Sequence, residues 1–191
     1  MERLLRLIFL VMLGLGITGL AQEHSGTRFG VGIDLSGFGT ESGMENVYDN
    51  FYFPIQIGSS LLIEPELGFS RKSVTEGVQK SSRMFVRAGS GFMIVSQKNN
   101  TQLYIGLRGY LLLDSFKIEG DVLSRSESLR RIFLGPVTGA FYMITPNLAI
   151  GGEVLVEFRV HEGGAVNGRS VELSGSSFSR TVTRVLLRWF F

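Results

Sequence analysis

Phe178-Ser179-Arg180-Thr181-Val182-Thr183-Arg184-Val185-Leu186-Leu187-Arg188-Trp189-Phe190-Phe191 is the stretch whose reading decides the fold. Its even positions carry Arg180, Arg184 and Arg188, while its odd positions run through Thr181, Thr183, Val185 and Leu187 to Trp189 and Phe191. Successive side chains of a β-strand point to opposite faces, so the three guanidinium groups share one face and an aromatic pair ends the other. Such a strand suits a barrel wall, with hydrocarbon on one side and a polar interior on the other.

The same period of two recurs along the chain. Alternating segments fall at about 28–39, 51–58, 61–74, 81–95, 101–117, 128–144, 148–161 and 177–191. In 61–74, Ile63, Leu67 and Phe69 oppose Glu64 and Glu66; in 81–95, Met84, Val86, Ala88, Phe92 and Ile94 oppose Arg83 and Arg87. In 101–117, Leu103, Ile105, Leu107, Leu111 and Leu113 oppose Tyr104, Arg108, Tyr110 and Asp114. In 148–161, Ile150, Val154, Val156, Phe158 and Val160 oppose Glu153, Glu157, Arg159 and His161. The contrast is weakest in 128–144, where Phe133 and Phe141 fall on the polar parity. A period of two over this many segments predicts an all-β chain of eight antiparallel strands.

The connections alternate in length. Those at about 40–50, 75–80, 118–127 and 162–176 are long or polar, and those near 59–60, 96–100 and 145–147 are short. Long loops on one side and tight turns on the other predict an up-and-down transmembrane barrel, with both termini on the short-turn side. Residues 162–176 are rich in glycine and serine and are expected to form a mobile loop.

Hydrocarbon offers no hydrogen bonds, so such a sheet has to close, pairing its last strand with its first. A soluble lipocalin-type barrel also closes, but with its apolar face inward. Here glycines such as Gly30, Gly32, Gly68, Gly89, Gly91, Gly135 and Gly139 interrupt the charged face, as a crowded interior requires, so the apolar face is expected to meet lipid. The lumen is then charged and filled, an eight-stranded barrel having room for little but side chains. It holds Asp34, Glu64, Glu66, Asp114, Glu153 and Glu157 with Arg83, Arg87, Arg108, Arg131, Arg159, Arg180, Arg184 and Arg188. Unpaired charges there are costly, so an ion-pair network is expected. If the last two strands pair so that residue numbers sum to 337, Glu157 meets Arg180 and Glu153 meets Arg184; closure with a sum of 218 sets Asp34 beside Arg184.

On the outer face Phe51 and Phe53 are expected at the loop end, and Phe29, Tyr142, Trp189 and Phe191 at the turn end, as two interfacial girdles. Arg71, Lys117 and Arg130 have lipid-facing parity but lie at the loop end, where they either contact lipopolysaccharide phosphates or are simply solvated.

Residues 1–21 carry Arg3 and Arg6, an apolar run from Leu7 to Leu15, and Gly19-Leu20-Ala21. This reads as a secretory signal peptide, the alternative being a membrane anchor, with residues 22–191 as one barrel domain. Without Glu2, Arg3 and Arg6 the chain keeps 17 basic and 16 acidic residues and no block of like charge, which leaves nucleic acid without a footprint. The absence of cysteine excludes disulfides and thiolate metal sites. No metal or cofactor is expected. The histidines, His24-Ser25 and His161-Glu162-Gly163, give no His-x-Ser spacing, and no Gly-x-Ser-x-Gly or HExxH occurs, so an enzyme is not expected. Parity places His161 inward near Glu157 and Arg159.

The leader, the eight strands and the terminal Trp189-Phe190-Phe191 together resemble the small outer-membrane β-barrel proteins, the porin-like group of OmpX and the membrane domain of OmpA. Segments 63–69 and 145–151 look like hairpin starts of that group. The resemblance implies the outer membrane of a Gram-negative-type (diderm) bacterium, lipid and lipopolysaccharide as surroundings, and delivery to the barrel-assembly machinery through the C-terminal strand. Unlike OmpA, no periplasmic domain is expected to follow the barrel. The implied role is structural or surface-interactive in the cell envelope, with an extracellular ligand at the loops and no large pore. A narrow ion channel and a lipid A-acting enzyme remain the alternatives.

Overall fold

The computed structural model describes residues 26–36, 49–76, 79–119, 125–167 and 169–191. The expected leader and most of the expected 40–50 loop lie outside them. The described chain forms β1 (Thr27–Asp34), β2 (Asp49–Tyr52), β3 (Ile55–Ile57), β4 (Leu61–Glu76), β5 (Gln79–Lys98), β6 (Thr101–Glu119), β7 (Arg125–Met143), β8 (Leu148–Val166) and β9 (Arg169–Phe190). All neighbours are antiparallel. β2 and β3 both lie between β1 and β4, so they form one stave broken at Phe53-Pro54, and β1 pairs with β9. The result is an eight-staved closed ring. Phe53 therefore falls at the break in its stave and not at the loop end.

Parity decides which face is which. Ile94, Leu103, Ile105, Leu107, Phe92 and Leu134 stand outside with much of their surface uncovered, while Glu64, Glu66, Arg108 and Arg188 are buried. A wall of exposed leucine, isoleucine and phenylalanine is unfavourable in water and suited to acyl chains.

The strands outrun the hydrocarbon. β5 has 20 residues and β9 has 22, whereas about 9–11 suffice to span a bilayer. The regions expected as loops at 75–80 and 162–176 are hairpins: Glu76 pairs with Gln79 and Val166 with Arg169. The reason is physical. Where water bathes both faces, apolar–polar alternation is no longer required, although the backbone ladder continues. The turn-end connections are short, with Gly58 and Asn99 in the left-handed region (φ 58° and 54°).

Three register shifts, one between β7 and β8 and two between β8 and β9, change the outer reaches of β8 and β9. Phe133 pairs with Arg159 but Ile132 with His161, so Val160 is an extra residue in β8. Likewise Glu157 pairs with Arg180 but Phe158 with Phe178, which makes Ser179 a bulge in β9. A bulge shifts parity by one. His161 accordingly shares the outward face of Ile132, correcting the inward position expected for it, and Glu162 turns inward in its place. Phe178 likewise leaves the arginine face of β9 for the outside, where it meets Phe158 edge-on.

Candidate functional site

The site is the lumen, which fills in tiers from the turn end to the loop end. Its floor is apolar: Leu62, Met93, Val95, Phe141, Met143, Ala149 and Phe190 are each buried. Above it lies a midplane ionic tier of Glu64, Glu66, Glu153 and Glu157 with Arg87, Arg108, Arg184 and Arg188, every one no more than 3% exposed. Four carboxylates against four guanidinium groups leave no net charge, which is how so many ions can be tolerated in so small a space.

Arg108 is the hub. Its Nη2 donates to Glu64 Oε2 at 2.6 Å and to Glu153 Oε2 at 2.9 Å, and its Nη1 donates to Glu66 Oε2 at 2.9 Å. Both cross-strand partners of Arg108 are glycines, Gly91 and Gly135. A Cβ on Gly91 would lie 3.2 Å from the guanidinium carbon, so glycine makes room for the hub. Arg188, on β9, reaches across the lumen to β4, giving Glu64 two bonds at 2.5 and 2.7 Å. Arg87 donates to Glu66 at 2.7 Å and stacks 3.5 Å from the Tyr110 ring centre. Arg184 donates to Glu153 at 3.1 Å and has carboxylate oxygens of Glu66, Asp34 and Glu157 at 3.7, 3.9 and 3.9 Å.

The closure register differs from the expected one. Asp34 pairs with Leu186 and Gly30 with Phe190, a sum of 220 and not 218. Asp34 nevertheless remains within reach of Arg184, because the offset of two keeps both side chains inward. In the β8–β9 pair, Glu153 stands opposite Arg184 and Glu157 opposite Arg180.

Aromatic pairs flank this tier, one toward the loop end and one on the side of the floor. Phe133 stacks on Tyr110 with centres 4.9 Å apart, and Phe141 on Tyr104 at 4.6 Å. Toward the loop end a second ionic tier opens to solvent. Arg83 grips Asp114 through Nε at 3.1 Å and Nη2 at 2.8 Å, and Arg131 bridges Asp114 at 3.4 Å and Glu162 at 2.9 Å. Arg159 also donates to Glu162. Arg180 donates to Glu157 at 2.9 Å, its own side chain 59% exposed.

Sequence reasoning missed Glu162, because the bulge that turns it inward leaves no mark on parity. It sets Tyr52, Tyr104, Tyr110, Phe133 and Phe141 on the inward parity, where the structure buries them, but does not read them as lumen filling. The signal was there for two of them: Gly89 faces Tyr110, and Gly139 faces Tyr104, cross-strand glycines next to rings that lean over them. Arg71, Lys117 and Arg130 all stand exposed on the outer face. Register places Arg71 with Met84 and Ser115, Arg130 one rung inward with Leu113, and Lys117 one rung outward with Ser82. They mark the upper border of the apolar wall.

No protein-family model matches the sequence, and no curated protein does. Similarity appears at the level of structure. A major outer membrane protein from Thermus thermophilus superposes with a TM-score of 0.54 at 13% identity, covering 86% of this chain and 99% of that one. Ail, the attachment invasion locus protein of Yersinia pestis, gives 0.44 at 13% identity over 86% of this chain and 93% of its own. CarO of Acinetobacter baumannii gives 0.37 at 11% identity over 88% and 98%. The first of these carries the assignment, and with the closed ring, the charged filled lumen and the apolar wall it gives this chain the fold of an outer-membrane β-barrel.

Proposed function

We propose that this protein is an integral outer-membrane protein of a diderm bacterium that stabilises the envelope and presents a surface at its loop end, without a large pore. The observation that carries this reading is the sealed lumen: an apolar floor beneath a charge-balanced tier of eight ions, each almost wholly withdrawn from solvent. An eight-stranded barrel packed in this way has no through-path to spare. The surface presented comprises the loop regions around 40–50 and 118–127 and the extended β8–β9 hairpin. Arg71, Lys117 and Arg130 would meet lipopolysaccharide phosphates at the border of the wall through charge-assisted bonds. Assembly would proceed through the barrel-assembly machinery, with β9 as the strand recognised. Catalysis has little support, since His161 stands on the opposite face from Glu157 and Arg159.

Planar-bilayer recording of the purified protein tests the reading; steady discrete conductance steps would contradict it. Stabilisation by added lipopolysaccharide should fall when Arg71, Lys117 and Arg130 are all replaced by alanine, and an unchanged melting temperature would remove that contact. A narrow ion path is the second reading, and one observation favours it. Arg184 has four carboxylates within 4 Å and could exchange partners without leaving the tier. Conductance that appears only in Arg184→Ala would assign that residue to a seal; conductance present in the wild type would assign it to a gate.

A further inference from the structure

One arginine on the inner face is unlike the rest. Arg83, Arg87, Arg108, Arg131, Arg159, Arg180, Arg184 and Arg188 each lie within 4 Å of a carboxylate. Arg28, whose cross-strand partner is the buried Gln56, has no such neighbour among the described residues. It sits at the turn end beneath the apolar floor, its guanidinium carbon 4.9 Å from the centre of the Phe190 ring. Its Nη2 donates to the carbonyl of Pro146 at 2.5 Å, which ties β1 past β9 to the β7–β8 turn. A guanidinium has five N–H donors, so this bond orients the group while leaving most of the fork available.

Arg28 lines a half-open cavity of about 400 Å³ together with Gln97, Asn99, Asn100, Gln102 and Thr145. Every polar side chain in this set is neutral except Arg28. Gln102 is buried and donates to Gln97 Oε1 at 3.2 Å, so part of the lining is already held in place. A single fixed cation among amide and hydroxyl donors is complementary to one negative charge with several acceptor oxygens. The planar fork matches a carboxylate or a phosphate, whereas the amides can satisfy the oxygens the fork does not reach. The cavity is large enough for a small solute and lies on the inner side of the mouth, away from the lipid-facing wall.

We propose that the turn-end mouth binds an oxyanion, the carboxylate or phosphate group of a small solute or of a lipid headgroup, with Arg28 as its charge partner and Asn99, Asn100 and Gln102 as its amide contacts. That the solute is periplasmic rests on the outer-membrane reading above; the binding itself does not.

The test uses the full-length mature protein in non-ionic maltoside micelles, which supply no phosphate. Arginine Nε–Hε and side-chain amide NMR signals are followed while sodium phosphate, sodium acetate or sodium chloride is added at matched ionic strength. The expected result is a saturable shift of Arg28, Asn99, Asn100 and Gln102 with phosphate or acetate but not chloride, while Arg108 and Arg188 stay still. Arg28→Gln should weaken the affinity about tenfold or more, and Arg28→Lys should retain part of it. In phosphatidylglycerol nanodiscs, an Arg28 signal already at its bound position, and unmoved by phosphate, identifies the headgroup as the source; a signal that still moves identifies a free solute. Equal shifts in chloride, no saturation in wild type, or affinity unchanged in Arg28→Gln would overturn the proposal. Loss of binding here with the bilayer silent, or the reverse, separates this site from the sealed-barrel reading.

Discussion

The midplane tier and the outer-mouth tier use the same two chemistries, guanidinium and carboxylate, in the same lumen, yet they differ in what surrounds them. In the midplane both members of each principal pair are hidden, as in Arg108 with Glu64 and Arg188 with Glu64, whose side chains are 0% exposed. At the mouth the carboxylates are covered but the arginines are not: Arg83 is 42% exposed while Asp114 is 4%. A midplane ion that loses its partner has no water to turn to, so pairing there is a condition of folding. A mouth arginine that loses its partner can be hydrated at small cost. The contrast teaches that identical salt bridges divide into obligatory and dispensable ones by their neighbours, and it can be broken or sharpened by substitution.

The largest effect is expected at the hub. Arg108→Met removes the donor shared by Glu64, Glu66 and Glu153 and leaves buried carboxylates short of a counter-charge, which costs on the order of 3–5 kcal/mol. Urea unfolding in lipid vesicles, followed through the fluorescence of the sole tryptophan, Trp189, should show this loss or a failure to fold at all. A change below about 1 kcal/mol would erase the distinction between tiers, because exposed pairs are worth that much.

A smaller effect is expected when a pair is removed together. Arg188→Met alone takes two of the three guanidinium bonds from Glu64 and leaves it only Arg108, but Arg188→Met with Glu64→Gln also removes the buried charge that was left under-compensated. The double variant should be more stable than additivity allows, with a coupling of about 1–3 kcal/mol in the same unfolding assay. Strict additivity would mean that the bonds between β9 and β4 across the lumen do not stabilise the closed ring. That matters because, among the described residues, β1 and β9 are joined over a short stretch, Gly30 to Asp34 with flanking backbone bonds at Phe29 and Leu35, whereas β5 and β6 pair along almost their full lengths.

Legibility in the sequence follows the same boundary between dry and wet. Within the hydrocarbon, water-free surroundings force strict alternation, so the inward parity of Glu64, Arg108 and Arg184 could be read directly. Parity cannot distinguish a register from one slipped by two residues, which is why closure was read two residues away from the observed pairing of Asp34 with Leu186. Beyond the hydrocarbon alternation relaxes, and with it the reading: the β8–β9 hairpin looked like a loop, and the bulges at Val160 and Ser179 hid the exchange of His161 for Glu162 on the inner face. Arg28 escaped notice for another reason. Nothing local marks a cation as uncompensated; only the folded ring shows which carboxylates lie elsewhere.

The smallest effect belongs to the mouth and concerns salt. Arg83→Ala removes a bidentate grip on Asp114, but Arg131 still approaches that carboxylate at 3.4 Å and solvent reaches the rim. The expected loss is therefore no more than about 1 kcal/mol. It should shrink further between 0.1 M and 1 M sodium chloride, as the screening length falls from about 10 Å to about 3 Å. The Arg108→Met deficit should not move over the same range, because mobile ions do not enter the sealed tier. If both deficits shrink together, salt reaches the midplane, and the lumen is open to ions after all.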